Sequence, residues 1–261
     1  MQRYFVASEQ FQDGMVILRG EDAHHASRVM RMNAGDVFIA CDGGERSALV
    51  KVVQLDGQEV RGSVQELLPQ DSEPLWQVTI AQSLPKGDKM ELVIQKGTEI
   101  GAVAFLPFQS ERNIVQYDGK KEAKRLERWS KIAKEAAEQS HRHRIPSVEA
   151  VKSWKGLLAD IPAYDLALFC YERAGDSAHG VGIGDAVKEW RLRRAGNEAP
   201  PRILLVAGPE GGFAEREAEE AAAAGAVLTG LGKRILRAET AGIAGLTCLL
   251  YESGEMGGAQ P

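Results

Sequence analysis

Two glycine-rich turns carry the residues of this chain best suited to chemistry. The first lies in RILLVAGPEGGFAEREAEE. An apolar run ends at Ala207, a turn follows at Gly208, Pro209, Glu210, Gly211 and Gly212, and a helical pattern begins. In an open α/β sheet, ligands bind outside the carboxyl ends of the strands, and glycines let a ligand approach the backbone closely. The pattern is neither GxGxxG nor GxxxxGK(S/T), so neither dinucleotide nor phosphate-loop chemistry is indicated. Glu210, in the middle of the turn, would repel a triphosphate but tolerates hydroxyls, amines or a positive centre. The second turn lies in GLGKRILRAETAGIAGL, after the strand-like AVLTG. Here Ile235 and Leu236 can clamp a flat ring, Thr240 offers a hydroxyl, and Arg237 and Glu239 flank the start of a helix. Either turn alone is also an ordinary strand–helix connection; two at the carboxyl ends of two strands suggest one shared pocket.

Two further segments add charge. Arg112 in QSERNIVQ sits just past the apolar run AVAFLPF. Gln139, Ser140 and Arg142 in EAAEQSHRHRIPSV end a basic helical pattern before Pro146, where a helix must stop. They are candidates for reading phosphates or a base edge. Metal chemistry finds no support, since His24 and His25 are adjacent and diverge on a helix, and the chain has no HExxH and no CxxC. Without a GxSxG, and with no evident base beside Cys41, Cys170 or Cys248, nucleophilic hydrolysis is disfavoured too.

The elements that must position these residues fall into two textures. Residues 1–72 contain short β-rich runs (MVILRG, DVFIACDG, RSALVKVVQLDG, EVRGSVQEL) separated by turn signals, with one helical stretch, EDAHHASRVMR. Strands at that spacing suggest a small β-barrel. LPQDSEPL reads as a linker. From residue 73 to 261, the apolar runs WQVTIAQS, AVAFLPF, YDLALFC and RILLVAG alternate with helical patterns, among them KKEAKRLERWSKIAKEAAEQS with Leu126, Trp129, Ala133 and Ala136 on one face. Such alternation implies an α/β domain with a parallel sheet covered by helices. Residues 173–200 read as loops around a short helix.

The 261 residues carry 44% hydrophobic and 26% charged side chains, ordinary for a globular protein, and a net charge of −5 that excludes a wholly basic nucleic-acid coat. A local basic face remains open: residues 120–134 hold seven Lys or Arg against two Glu. Three scattered cysteines suit a reducing compartment. The start, MQRYFVASEQ, lacks the apolar core of a signal peptide, and no uncharged apolar stretch approaches the roughly 20 residues of a membrane helix. The expectation is a cytoplasmic protein with no membrane partner.

Taken in order, RYF at 3–5, HHASRVMRMNAGD at 24–36, LPKGDKMELVIQKGTEIG at 84–101, SERNIV at 110–115, ERWSKIAKEAAEQSHR at 127–142, GPEGGF at 208–213 and LGKRILRAETA at 231–241 resemble one family closely over essentially the whole chain. It is the RsmE-type family of bacterial methyltransferases acting on uridine N3 of 16S ribosomal RNA. The resemblance implies a PUA-like β-barrel that binds RNA over residues 1–72 and a SPOUT methyltransferase domain with a C-terminal trefoil knot over 73–261. It also implies a homodimer whose substrate is 16S rRNA in the small ribosomal subunit.

S-adenosyl-L-methionine would be the cofactor. It would be held at Leu168, Phe169, Cys170 and Tyr171, at Gly208, Pro209, Glu210, Gly211 and Gly212, and at Leu231, Gly232, Ile235, Leu236, Arg237, Thr240 and Ala241. Arg112 would stabilise charge on the uracil, and a carboxylate, Glu239 or Glu210, would take the proton or hold the donor. Arg3, His24, Arg28, Arg31, Arg128, Gln139, Ser140 and Arg142 would contact the RNA. Other outcomes are a SPOUT enzyme with another RNA target, or a non-catalytic ribosome-assembly factor. Four positions depart from the family pattern: Gly97 for Ala, His141 for Gly, Lys233 for Pro and Ala238 for Thr.

Overall fold

A computed structural model describes every residue except 45, 57, 70, 114, 116–118, 174–180, 195–198 and 258–261. Parts of the expected loops within 173–200 lie outside the described residues. The chain divides into two units, Met1–Glu73 with Lys134–Ile145, and Pro74–Ala133 with Pro146–Pro261. Residues 134–145, which sequence reading keeps with the C-terminal domain, therefore group with the first unit.

In the first unit, β1 (Arg3–Phe5), β2 (Phe11–Gln12), β3 (Met15–Arg19), β4 (Val37–Cys41), β5 (Ser47–Leu55) and β6 (Glu59–Leu67) form one sheet in the order β1-β4-β5-β6-β3-β2. Only the β1–β4 pair is parallel. Alternating residues Val16, Leu18, Phe38, Ala40, Val50, Val52 and Val60 form its core with Tyr4, Ala23 and Ala26. The expected helix is shorter than its pattern. One α-turn, α1 (Gly20–His24), passes into a π-turn over His25–Val29.

Residues 134–145 bring charged groups into this unit's interior. Arg3 Nη1 donates to Arg142 O at 2.9 Å and to Cys41 Sγ at 3.1 Å. Arg142 Nη2 donates to Glu73 Oε2 at 2.7 Å, and Glu73 Oε1 also accepts the His143 and Arg144 N–H groups. Arg3 and Arg142 are only 5% and 3% exposed. Their assignment to RNA is corrected: both guanidiniums are spent on internal acceptors and cannot reach phosphate. Ser140 Oγ is likewise turned back onto Ala136 O at 2.7 Å. His24, Arg28, Arg31, Arg128 and Gln139 are exposed, although Arg128 is paired with Glu91 at 2.6 Å.

Glu138 accepts the Phe5 N–H at 3.3 Å. Burial pushes its carboxyl up to about 7, against the opposing pull of Lys134. A folded-state value above the unfolded one means that the stabilisation is complete at low pH and lost as pH rises through 7. Glu138→Gln keeps the acceptor and removes the charge. It is expected to raise stability by about 1–3 kcal/mol at pH 8 and to change little at pH 4. Thermal melts at both pH values check this; an equal gain at both would mean the carboxyl is not held protonated.

In the second unit, β7 (Gln77–Ser83), β8 (Ala104–Phe108), β9 (Ser147–Val148), β10 (Leu166–Cys170), β11 (Arg202–Ala207) and β12 (Val227–Thr229) form an all-parallel sheet in the order β12-β10-β11-β7-β8-β9. Its strands read as continuous apolar runs because helices cover them. These are α2 (Lys89–Ile100), the part of α3 (Gly119–Gln139) up to residue 133, α4 (Trp154–Asp160), α5 (Ile183–Arg193), α6 (Glu215–Ala223) and α7 (Ala238–Glu252). One core joins Ile80, Met90, Ile94, Phe105, Trp129, Leu205, Leu246 and Leu249; a second joins Phe108, Leu157, Phe169, Val206 and Phe213. Gly97 has a physical reason for its departure from Ala, since a Cβ there would lie 2.6 Å from Phe105 Cε1. Among the described residues, no helix is long and apolar enough to cross a membrane.

Candidate active site

The strand ends of the second unit converge because the registers align them. Ala207 pairs with Gln82, Phe169 with Val206, and Cys170 with Thr229. The segments leaving β10, β11 and β12 therefore emerge together at the carboxyl edge of the sheet. They surround a cleft of about 750 Å³, lined by Lys89 and Arg112, by Cys170 and Tyr171, by the 208–213 turn and by residues 231–238 and 241.

The 208–212 turn is built by its glycines and anchored from below. Gly212, at φ 64, donates its N–H to Pro209 O at 2.9 Å. Gln82 Nε2 donates to Gly208 O at 3.1 Å. Phe213 follows and locks into the aromatic core, 4.1 Å between centroids from Phe169. Glu210 Oε1 accepts from Lys89 Nζ at 2.9 Å and from the Lys86 N–H at 3.1 Å. Burial pushes this carboxyl up, but those hydrogen bonds outweigh it and hold it below the ordinary carboxylate value. The hydrogen bond to Glu210, joined by Glu239, holds the Lys89 ammonium above the usual lysine value. Glu239 Oε2 lies 3.3 Å from the same Nζ without forming a regular hydrogen bond.

Arg112 stands beside this turn, on the loop after β8. Its Nη1 donates to Gly211 O at 3.1 Å, and no carboxylate among the described residues is within ion-pair distance. Three contacts hold this loop. Ser110 Oγ meets Ser83 Oγ at 2.8 Å, the Asn113 N–H reaches Ser110 O at 3.1 Å, and the Glu111 N–H reaches Glu217 Oε1 at 2.8 Å. Glu217 is fully buried, and its other oxygen takes the Ala214 N–H at 2.9 Å. One carboxylate thus ties the Arg112 loop to the end of the glycine turn.

The 230–237 segment forms the remaining wall. Gly232 adopts φ 90, and nothing lies within 4 Å of where its side chain would grow. Ile235 is 80% exposed beside the half-buried Leu236. Arg237 caps α7 through its carbonyl, which accepts the Thr240 N–H at 2.9 Å.

Most of the sequence candidates meet here, but not all. Leu168 and Phe169 are fully buried within β10, so their assignment to the ligand is corrected: they support the floor and do not touch the cleft. Glu239 and Thr240 lie next to the lining and are not part of it. Burial pushes the Cys170 thiol up to about 12, so it is no nucleophile at neutral pH. Lys89 and Glu217 escaped sequence reading. The signal for Glu217 was its place three residues after Ala214 at a helix start, where a Glu reaches back to the cap N–H. Lys89 offered none beyond charge in a first helical turn. Among the described residues, no group of three or more His, Cys, Asp or Glu is arranged to hold a metal ion.

Comparison with known proteins gives the following. Residues 71–250 match the model of an RNA methyltransferase domain, and residues 18–65 that of an RNA methyltransferase PUA domain. Ribosomal RNA small subunit methyltransferase E of Bacillus subtilis is 40% identical over 265 residues, covering 100% of both chains. The crystal structure of a Ribosomal RNA small subunit methyltransferase E from Neisseria gonorrhoeae bound to S-adenosyl methionine superposes with a TM-score of 0.78 at 28% identity, covering 95% of this chain and 96% of that one. The putative methyltransferase from Legionella pneumophila in complex with SAM gives 0.79 at 26% identity, with 95% and 96% covered.

Proposed function

Because the chain belongs to the RNA methyltransferase family, with an RNA methyltransferase domain and a PUA domain, we propose that it methylates N3 of one uridine in 16S rRNA of the small ribosomal subunit, using S-adenosyl-L-methionine. The observation that carries this reading is the cleft at the carboxyl edge, where two glycine turns meet an arginine that has no carboxylate in ion-pair distance among the described residues.

The cleft suits the cofactor. Its volume of about 750 Å³ is that of a small-molecule site. Gly212 and Gly232, both at positive φ, leave backbone uncovered where a Cβ would intrude. Glu210 offers charge to a cationic ligand. The backbone of 208–212 and 231–236, with Tyr171, would hold it. When bound, it supplies a methyl group activated on a sulfonium.

The chain's own residues do the rest. Uridine N3 must lose a proton to become a good nucleophile, and the negative charge then spreads onto the uracil oxygens. Arg112, anchored to Gly211 O through one N–H and without a carboxylate partner among the described residues, lines the cleft to stabilise that charge. Lys89 stays protonated and cannot take the proton. Glu210, held low, is a weak base better suited to binding. Glu239, beside the lining and 3.3 Å from Lys89 Nζ, is the carboxylate we assign to receive the proton, through water. Holding both reactants on one sheet edge supplies much of the remaining rate.

The same reading includes a trefoil knot, a closed PUA-like barrel in residues 1–72 that binds the RNA through His24, Arg28 and Arg31, a cytoplasmic location and a homodimer. The insertion of β11 between the earlier strands β7 and β10 supports the knot. The largely apolar helix α7, with Tyr251 54% exposed, supports self-association.

The test uses small subunits from cells lacking the protein, the purified chain and labelled S-adenosylmethionine. Label is expected in 3-methyluridine at one site. Label in another nucleoside would replace the target, and no label on particles or naked RNA would favour a non-catalytic assembly factor.

A further inference from the structure

The charge of the cleft does not match the cofactor. Six of its lining side chains are basic, Lys89, Arg112, Arg173, Lys233, Arg234 and Arg237, against two carboxylates, Glu172 and Glu210. S-adenosylmethionine carries a sulfonium and an ammonium against one carboxylate, so it is a net cation without phosphate. Each uncompensated like charge at about 4 Å costs roughly 1 kcal/mol even in water, and more where solvent is partly excluded. A site evolved for this ligand alone has no use for such a surplus.

Three of the six are accounted for within the protein. Lys89 is held by Glu210 and Glu239, Arg173 by Glu215 at 3.3 Å, and Arg112 by Gly211 O. Lys233, Arg234 and Arg237 are not. All three are exposed on one segment and have no carboxylate in ion-pair distance among the described residues. Arg237 opens α7, capping it through its carbonyl and leaving its side chain on the same rim. Lys233 and Arg234 follow Gly232, whose positive φ turns the chain at the cleft's margin. An adjacent pair of unpaired cations beside a reaction cleft fits a polyanion passing the site.

We propose that Lys233 and Arg234 form a phosphate clamp for the RNA backbone next to the methylated nucleotide. The acceptor RNA, and not the cofactor, then neutralises this rim. The inference rests on the RNA methyltransferase reading above and adds a contact from the catalytic unit itself.

The test uses the full-length chain and Lys233→Ala/Arg234→Ala, with a labelled oligouridylate titrated over a range of salt. Each lost phosphate contact lowers the salt slope by about 0.7 for a single strand, so the double variant should lose about 1.4 of slope and roughly tenfold in affinity at low salt. The melting temperature should match the parent, since both side chains are exposed, and any change in cofactor affinity by calorimetry should be smaller than the loss in RNA affinity. Lys233→Glu/Arg234→Glu should weaken RNA binding further still. A parental slope in the double variant overturns the clamp, as does a loss confined to cofactor affinity. Methyl transfer to subunits is scored alongside: a parent that transfers while the slopes coincide keeps the enzyme and sinks the clamp. A parent that does not transfer while the slopes differ keeps the clamp and sinks the enzyme reading.

Discussion

Arg112→Ala is expected to lower kcat for RNA methylation by about 10²–10³-fold while cofactor affinity changes by no more than about threefold. The geometry separates the two effects. Arg112's guanidinium bonds the cofactor turn through one hydrogen bond to the Gly211 carbonyl at 3.1 Å, while its stem lies beside Gly211. Its loop is fixed without it, by the Ser110–Ser83 pair and by Glu217 on the Glu111 N–H. Truncation therefore removes a cation aimed at the cleft and leaves the walls standing. Arg112→Lys should recover only part of the rate, because an ammonium cannot hold Gly211 O and present further donors in one fixed plane. Single-turnover rates at saturating cofactor, with calorimetry for binding, decide the matter. A loss confined to cofactor affinity would make Arg112 a wall of the binding site and not a participant in the step.

The parallel sheet was legible because β8, β10 and β11 are apolar on both faces, and the helix α7 because Ala238–Glu252 is bounded by a glycine turn and a polar tail. Pairing order was not. Nothing local tells β11 to enter between β7 and β10, since that choice is made by helices packing on both faces. The glycine turns disclosed the cleft because their spacing reports backbone geometry directly. The basic residues misled because charge in a sequence says nothing of exposure. Arg3 lies in a three-residue strand that is buried throughout, and Arg142 is fixed by Glu73 from a segment 69 residues earlier. Sequence proximity to a basic helix suggested an RNA contact for Arg142, and the family resemblance suggested one for Arg3, whereas long-range pairing makes both arginines part of the interior.

The two glycine turns should also be separable by substitution. Gly232 sits at φ 90 with open space beyond, so Gly232→Val strains the backbone and fills cleft without touching another residue. It should weaken cofactor binding by about 10- to 100-fold, the size of a 1–3 kcal/mol strain and steric cost, and saturating cofactor should restore kcat. Gly211→Val is different. A Cβ there would lie 3.3 Å from Arg112 Cβ and 3.8 Å from its Cδ, and the branched methyls add to that crowding. The side chain must displace Arg112, and a shift of about 1 Å at such a group is enough to cost about 10²-fold in rate. Gly211→Val should therefore lose kcat even when cofactor is saturating, and combining it with Arg112→Ala should add little, because the arginine's contribution is already gone. Normal cofactor affinity in Gly232→Val would remove the 231–237 segment from the binding site. A parental kcat in Gly211→Val would mean that the arginine's position does not govern the reaction.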